Sequence, residues 1–174
     1  MYNILIVGCG KMGEQFYNEY RVLKPDRYDP YKNLLEKKNI IYDCAFICVD
    51  TPMQENKECD LSYVEQAISE TTAKIIVLRS TVPPNTTDTL IAKTQKHIIF
   101  SPEFYGTTQH SDCSTFNFNF TILGGKKEDC NQVIQILQEV YDARHRFVIT
   151  DAKTAELAKY MENTFLAARV SLCI

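Results

Sequence analysis

The sequence lacks any apolar run long enough to cross a bilayer, and its first residues lack the pattern of a secretory signal peptide. It also lacks a basic stripe, because 19 lysines and arginines are scattered among 22 acidic residues to give a formal net charge of −3. Scattered charge argues against nucleic acid and against a membrane surface as partners. We therefore expect a soluble, cytoplasmic protein that binds neither nucleic acid nor membranes.

The cysteines also lack a pattern. There are seven, an odd count, and none forms a C-x-x-C pair. Several lie in apolar runs, where a thiol behaves as a small hydrophobic group. We expect free, buried thiols in a reducing compartment and predict no metal site.

What the chain does contain is an alternation of short apolar runs and helical segments. Its 174 residues, 45% of them hydrophobic, fit one domain of ordinary size, with no internal repeat. Runs apolar on both faces suit central strands of a parallel sheet. The strand-like runs are 3–7, 44–49, 74–78, 97–100, 118–123 and 146–149. The helix-like segments between them are 11–20, 61–70 with Asp60 as N-cap, 86–95 and 126–141. The alternation predicts an α/β fold with a Rossmann-like, doubly wound, mainly parallel sheet.

Residues 151–174 differ from the rest. They have an N-cap candidate in Asp151, no glycine or proline, and apolar residues at helical spacing up to the last residue. We expect a long C-terminal helix whose apolar stripe is buried by another chain or by a further domain. The predicted organisation is a Rossmann-like domain over 1–150 and the start of a longer helix over 151–174.

The stretch "GCGKMG" at 8–13 follows the first apolar run directly and opens a helix, as a G-x-G-x-x-G dinucleotide fingerprint requires. Gly8 allows the tight turn, Gly10 lets the backbone approach a diphosphate, and Gly13 lets the helix pack on the strand. Lys11 and Met12, inside the same loop, complete this predicted cofactor site at the helix N-terminus.

An acidic residue at the end of the second strand completes the fingerprint by holding the adenosine ribose. Asp29 lies slightly early for this role, and Asp26 competes with it. Asp29 before a proline is also compatible with a simple turn. We favour Asp29, and a carboxylate at that point favours NAD over NADP because it repels the 2′-phosphate.

Six motifs occur in series along the chain: "GCGKMG", "FICVDTP" (46–52), "DLSYVEQAI" (60–68), "LRSTVPPNTTD" (78–88), "FSPEF" (100–104) and "AELAKYMENTFLAARVS" (155–171). Together they resemble the nucleotide-sugar 6-dehydrogenases, the family of UDP-glucose and GDP-mannose dehydrogenases. The resemblance covers nearly the whole chain and implies the NAD-binding domain and the start of the central, dimer-forming helix. It also implies a homodimer through 151–174 and oxidation of a sugar alcohol to a carboxylate with two NAD⁺.

The resemblance also implies roles for individual residues. Glu103 corresponds to a glutamate that handles protons or orients water beside the sugar, and Thr81 to a threonine that positions a catalytic water. Lys159 and Asn163, four residues apart on one helix face, correspond to a pair that stabilises an oxyanion and binds the sugar. Thr51 and Ser80 match loops that line the nicotinamide side of the cofactor. A stretch whose backbone contacts the nucleotide-sugar is matched by Phe104, Tyr105, Gly106 and Thr107. On the residues alone, Glu103 is also compatible with a turn, Thr81 with an ordinary strand exit, and the helical pair with a solvated face.

Some family features are missing or changed. The glycine- and phenylalanine-rich motif with the catalytic cysteine, and the second nucleotide-sugar-binding domain that carries it, have no counterpart here. Thr107 stands where many members have a second glutamate, Asp50 where proline is common, and Asn85 where glycine is usual. We therefore expect a chain incomplete for turnover by itself. The alternatives are a non-catalytic NAD-binding or regulatory module, or a different Rossmann dehydrogenase.

Overall fold

The computed structural model describes residues 2–34, 40–104 and 119–172. Along these residues, seven strands and five α-helices alternate, with 3-10 turns at Arg21–Leu23 and Pro30–Lys32. The strands are β1 (Ile4–Val7), β2 (Asp26–Tyr28), β3 (Cys44–Ile47), β4 (Ile75–Leu78), β5 (Ile98–Phe100), β6 (Phe120–Gly124) and β7 (Arg146–Thr150). The helices are α1 (Lys11–Glu19), α2 (Ser62–Glu70), α3 (Thr86–Thr94), α4 (Lys127–Leu137) and α5 (Ala152–Leu172).

The strands form one sheet in the order β2-β1-β3-β4-β5-β6-β7. Strands from β2 to β5 run parallel, β6 and β7 are parallel to each other, and β5 meets β6 in an antiparallel contact. Strand β2 lies on one side of β1, and β3 lies on the other side. The strand order therefore reverses between β1 and β3. The predicted Rossmann-like, doubly wound sheet and the long C-terminal helix are thereby confirmed. In open α/β sheets, ligands bind outside the carboxyl ends of the strands at such a reversal.

The core lies on both faces of the sheet. Every residue of β1, β3 and β4 is buried, as expected for strands covered above and below. Because side chains alternate along a strand, Ile4 and Ile6 pack into the layer that contains α1 and α4. Leu5 and Val7 pack into the opposite layer, which contains α2, α3 and the first turns of α5.

The described cysteines are free thiols, as the sequence predicts: Cys9, Cys44, Cys48, Cys59 and Cys130. Burial raises the pKa of Cys130 to about 11 and raises that of Cys44 still further. Cys113 and Cys173 lie outside the described residues.

Two aspartates lie at the starts of helices. Asp151 caps α5, since its carboxylate accepts from the Thr154 N–H at 2.8 Å and from the Thr154 hydroxyl at 2.6 Å. These hydrogen bonds lower the pKa of Asp151. The prediction of Asp60 as N-cap of α2 was wrong by one residue, because Leu61 occupies that position. Asp60 instead accepts from the Ser62 N–H at 2.9 Å, the hydrogen bond of an Asx turn that leads into the helix.

The connection from β2 to β3 is described at its two ends. β2 has only three residues, and it is followed by the 3-10 turn at Pro30–Lys32. In residues 29–34 and 40–43, the described part of this connection, no α-helix intervenes before β3. The end of β2 lies beside the glycine loop, because the Gly8 N–H donates to the Tyr28 carbonyl oxygen at 2.9 Å.

Helix α5 has a buried first part and an exposed second part. Ala152, Ala155, Glu156 and Lys159 are buried, whereas most residues after Tyr160 are exposed. The approach to β6 is close, since a Cβ built on Gly124 would lie 2.5 Å from the Cβ of Ala155. None of the helices in the described ranges has both the length and the apolar character that a membrane span requires.

Candidate functional site

The loop between β1 and α1 makes a turn that only glycine fits at two positions. Gly8 has a φ of +86°, and a Cβ built on it would lie 2.9 Å from the backbone of Cys48 and Val49. A Cβ on Gly13 would lie 1.9 Å from the carbonyl oxygen of Gly8. The helix therefore starts in direct contact with the loop, as the fingerprint predicts for these two glycines.

Gly10 occupies the remaining position of the fingerprint and faces open space. It is the N-cap of α1, its φ is −64°, and it has no side chain with which to cap the helix. A Cβ at Gly10 would meet nothing within 4 Å. The first N–H groups of an α-helix have no acceptor within the helix. The open N-terminus of α1 at Gly10, which we call the mouth of α1, can therefore bind an anion.

A cleft of about 350 Å³ lies beside this mouth, at the carboxyl ends of β1, β2 and β3. Asp29 lies in its wall and is 8% exposed. Its carboxylate accepts from the Cys9 N–H at 2.9 Å and from the Tyr31 N–H at 3.1 Å. Each carboxylate oxygen has a second lone pair, so the group can still accept from a sugar hydroxyl. Other residues that line this cleft are Gly8, Gly10, Lys32, Val49, Asp50, Tyr63, Gln66 and Glu70.

The structure separates the two aspartates that compete for the ribose role. Asp26 is level with Leu5 at the amino end of β2, away from the cleft. Its carboxylate accepts from the Tyr42 hydroxyl at 3.2 Å. Of the two, only Asp29 lines the cleft.

A second cleft of about 120 Å³ adjoins the first and shares Cys48, Val49 and Asp50 with it. The Thr51 hydroxyl donates to the Thr81 carbonyl oxygen at 2.8 Å, and the Ser80 hydroxyl donates to the Val49 carbonyl oxygen at 2.7 Å. Each hydroxyl proton is therefore used in a hydrogen bond between two loops. The hydroxyl oxygens remain as acceptors for a ligand. The residues that line this smaller cleft are Met12, Cys48, Val49, Asp50, Thr51, Arg79, Ser80, Thr81 and Glu103.

Glu103 and Lys159 meet at the edge of the smaller cleft. The Lys159 Nζ lies 3.3 Å from a carboxylate oxygen of Glu103, and the side chains are 6% and 14% exposed, respectively. The same ammonium lies 3.4 Å from Glu162 and 5.4 Å from the centre of the Phe104 ring. A buried charge pair held in this way is a preorganised donor and acceptor. Asn163, one turn further along α5, is exposed and lines neither cleft.

Two thiols near the glycine loop are held in the neutral form: Cys9, which is fully buried, and Cys48, which lines both clefts. Burial, together with the nearby carboxylates of Glu14 and Asp29, raises the pKa of Cys9 to about 11. Burial raises the pKa of Cys48 to about 12, although the Arg79 guanidinium opposes the shift. Since the thiolate is the nucleophile, neither thiol is suited to covalent catalysis.

The sequence reasoning missed two cations in the clefts. Arg79 is 5% exposed, and its guanidinium lies 4.4 Å from the centre of the Phe16 ring. The sequence marks Arg79 by its position directly after an apolar run, where a buried strand ends. Lys32 donates to the carbonyl oxygen of Cys9 and lies 3.9 Å from Glu14. No motif marks Lys32. Tyr105, Gly106 and Thr107 lie outside the described residues.

The sequence was compared with protein families and with curated proteins. The model of the UDP-glucose/GDP-mannose dehydrogenase family, NAD-binding domain, matches residues 31–145. The chain is 32% identical over 142 residues to UDP-N-acetyl-D-mannosamine dehydrogenase of Methanocaldococcus jannaschii, covering 75% of this chain and 33% of the relative. It is 32% identical over 155 residues to UDP-glucose 6-dehydrogenase of Rickettsia felis, covering 81% and 33%, respectively. The chain thus spans about a third of the length of these two relatives.

A solved structure shares the fold. A UDP-glucose dehydrogenase from the hyperthermophilic archaeon Pyrobaculum islandicum superimposes with a TM-score of 0.75 at 20% identity. The match covers 99% of this chain and 51% of the solved one. The arrangement of β1–β7 and α1–α5 is therefore the arrangement of about half of that larger chain.

Proposed function

Because the chain belongs to the UDP-glucose/GDP-mannose dehydrogenase family through its NAD-binding domain, we propose that it is the NAD-binding part of a nucleotide-sugar 6-dehydrogenase. In this proposal a second, cysteine-bearing domain completes the enzyme. The reaction is oxidation of a primary alcohol of a nucleotide-sugar to a carboxylate.

The observation that carries the proposal is the glycine-lined mouth of α1 beside the carboxylate of Asp29. Because Gly10 has no side chain and the space beside it is open, a diphosphate can approach the backbone at the mouth of α1. Asp29 lies in the same cleft with acceptor capacity left for the adenosine ribose. NAD⁺, when bound, supplies the hydride acceptor. The adjoining smaller cleft, with Ser80 and Thr51, takes the nicotinamide half.

The chain's own polar groups then face the reacting carbon. Glu103 lines the smaller cleft with Thr81 and supplies a carboxylate that takes up a proton or orients a water molecule. Lys159, paired with Glu103, supplies an ammonium that stabilises negative charge on the substrate oxygen. Asn163 is exposed on the same helix and binds the sugar once the second domain covers it.

The first prediction concerns cofactor choice. We expect the chain to bind NAD⁺ about tenfold or more tightly than NADP⁺, because the 2′-phosphate would meet the Asp29 carboxylate. Asp29→Asn should weaken NAD⁺ binding and bring the affinities for NAD⁺ and NADP⁺ closer together. Isothermal titration calorimetry with both cofactors measures the effect.

Asp26→Asn is the matched control for Asp29→Asn. It removes the same charge at the amino end of β2, beside Tyr42, whereas Asp29 follows the carboxyl end of that strand. The preference for NAD⁺ should survive in this variant. If the unmodified chain bound neither cofactor, the proposed function would be wrong.

We also propose that the chain forms a homodimer through the apolar stripe of α5. The stripe consists of Leu157, Met161, Phe165, Leu166, Val170 and Leu172, each between 47% and 85% exposed. Sedimentation velocity should show a dimer, and Phe165→Glu should shift it to monomer. Lys153→Glu, at the exposed start of the helix, should leave the dimer intact. A monomer at high concentration would contradict the proposal.

A second candidate is an NAD-binding module without turnover. Such a module needs no nucleophile, and Cys48, the one thiol among the residues that line the two clefts, is not activated, because burial raises its pKa. Mixing the chain with a separately expressed second domain of a relative and measuring NADH formed from UDP-glucose separates the candidates. Restored turnover, lost again in Glu103→Gln, supports the enzyme. NAD⁺ binding without turnover supports the module.

A further inference from the structure

A carboxylate that the proposed reaction does not use is completely buried on α5. Glu156 is 0% exposed. One of its oxygens accepts from the Asn85 N–H at 2.5 Å, and the other accepts from the Thr87 N–H at 2.7 Å and the Thr87 hydroxyl at 2.6 Å. Asn85 is the N-cap of α3 and makes no side-chain cap of its own. Glu156 therefore caps α3 from a different helix, where the positive end of the helix dipole favours a negative charge.

The N-terminus of α3 is also the end of a segment that walls the smaller cleft. This segment, residues 79–86, leaves β4 and contains Ser80 and Thr81. Its near end is attached to the neighbouring loop, because the Ser80 hydroxyl donates to Val49 and the Thr51 hydroxyl donates to Thr81. Its far end is held by Glu156. Asn85 takes a left-handed conformation there, with φ at +81°, as the replacement of glycine by asparagine allows.

Glu156 also stands one helical turn before the cation of the site. Residues three apart on a helix share a face, so Glu156 and Lys159 point to the same side of α5. Lys159 meets Glu103 while Glu156 meets α3. One face of α5 thus contacts both the segment that carries Thr81 and the glutamate that follows β5.

We propose that Glu156 is a positioning residue: by joining α5 to the N-terminus of α3, it fixes the Lys159 ammonium relative to Thr81 and Glu103. The effect of Glu156 on catalysis rests on the proposed function, whereas its hydrogen bonds to the start of α3 do not depend on that function. A carboxylate that served only to cap α3 would stabilise the fold without holding Lys159.

The test measures the accessibility of the Lys159 amine. In the folded, full chain, acetic anhydride should modify the buried Nζ of Lys159 slowly, and mass spectrometry resolves each lysine. Glu156→Gln keeps the side-chain size but turns an amide towards N–H donors. We expect Lys159 to react about tenfold faster in this variant, since losing a cap lowers the free energy of local opening. Exposed Lys93 should react at the same rate in all variants.

A second variant and a matched control keep the result decisive if Glu156→Gln folds poorly. Thr87→Val removes only the hydroxyl donor and should raise Lys159 reactivity by a smaller factor. Val133→Ala, a cavity variant in the layer on the opposite face of the sheet, lowers overall stability without touching α5. The inference is overturned if Lys159 reactivity stays at the unmodified level in both variants, or if it rises equally in Val133→Ala. NAD⁺ titration of the unmodified chain tests the proposed function separately, because the acetylation rate of Lys159 is measured without NAD⁺.

Discussion

Replacing Gly13 by alanine should destabilise the folded chain by about 3 kcal/mol or more and abolish NAD⁺ binding. The new Cβ would stand 1.9 Å from the Gly8 carbonyl oxygen, which is backbone and cannot rotate away. Gly8 is itself held by the hydrogen bond from its N–H to the Tyr28 carbonyl oxygen at 2.9 Å. Relief of the overlap must therefore move the loop, the start of α1, or β2. The gain in helix propensity from glycine to alanine is only about 1 kcal/mol and does not reverse the sign.

Gly10→Ala is the matched control for that substitution. It adds the same methyl group three residues earlier, at the N-cap of α1, with nothing within 4 Å and at a φ that alanine adopts readily. Its free energy of unfolding should stay within about 0.5 kcal/mol of the unmodified value. Its NAD⁺ affinity should nevertheless fall, because the methyl group occupies the space assigned to the diphosphate. Urea denaturation and calorimetry measure the two quantities independently.

The results of this pair can contradict two different statements. Unchanged stability in Gly13→Ala would contradict the close packing of α1 on the glycine loop. Unchanged NAD⁺ affinity in Gly10→Ala would contradict the placement of the diphosphate at the mouth of α1. Both effects are needed for the loop to act as packing element and ligand cradle together.

The sheet could be predicted because its signal is local. A strand buried on both faces, such as β3 or β4, must be a short apolar run, and a helix between two such runs implies a parallel crossover. The direction of β6 could not be predicted, because the run that forms it resembles the others. Its pairing with β5 is antiparallel, and the apolar pattern of a run does not encode the direction of the strand.

The candidate site could be predicted where a residue lies within three positions after the end of a strand. Asp29 and Glu103 come after β2 and β5, and carboxyl ends of parallel strands share one edge of the sheet. Glu156 could not be found in this way, because a glutamate on a helix is usually exposed. Its burial follows from the packing of α5 on α3. Lys159 is buried beside Glu103 and Phe104, whereas Asn163, on the same helix face, is exposed.

The Glu103–Lys159 pair gives the second large effect. Lys159→Met should destabilise the folded chain by about 3 kcal/mol, because it leaves the largely buried carboxylate of Glu103 without its ammonium. Glu103→Gln should destabilise it less, since Lys159 keeps Glu162 at 3.4 Å. The double variant should be more stable than the sum of the single effects predicts, with a coupling of about 1–3 kcal/mol. Urea denaturation of the four proteins measures this cycle.

The exposed Lys93–Glu65 pair is the control for the cycle. Its charged atoms lie 2.9 Å apart, closer than those of Glu103 and Lys159, but the side chains are 60% and 45% exposed. Solvent screening should hold its coupling below about 1 kcal/mol despite the shorter distance. If both cycles gave equal coupling, the Glu103–Lys159 pair would be as hydrated as a surface pair. Water would then screen the Lys159 ammonium from a substrate oxygen, and the charge would be too weak to stabilise an oxyanion in the way the proposed function requires.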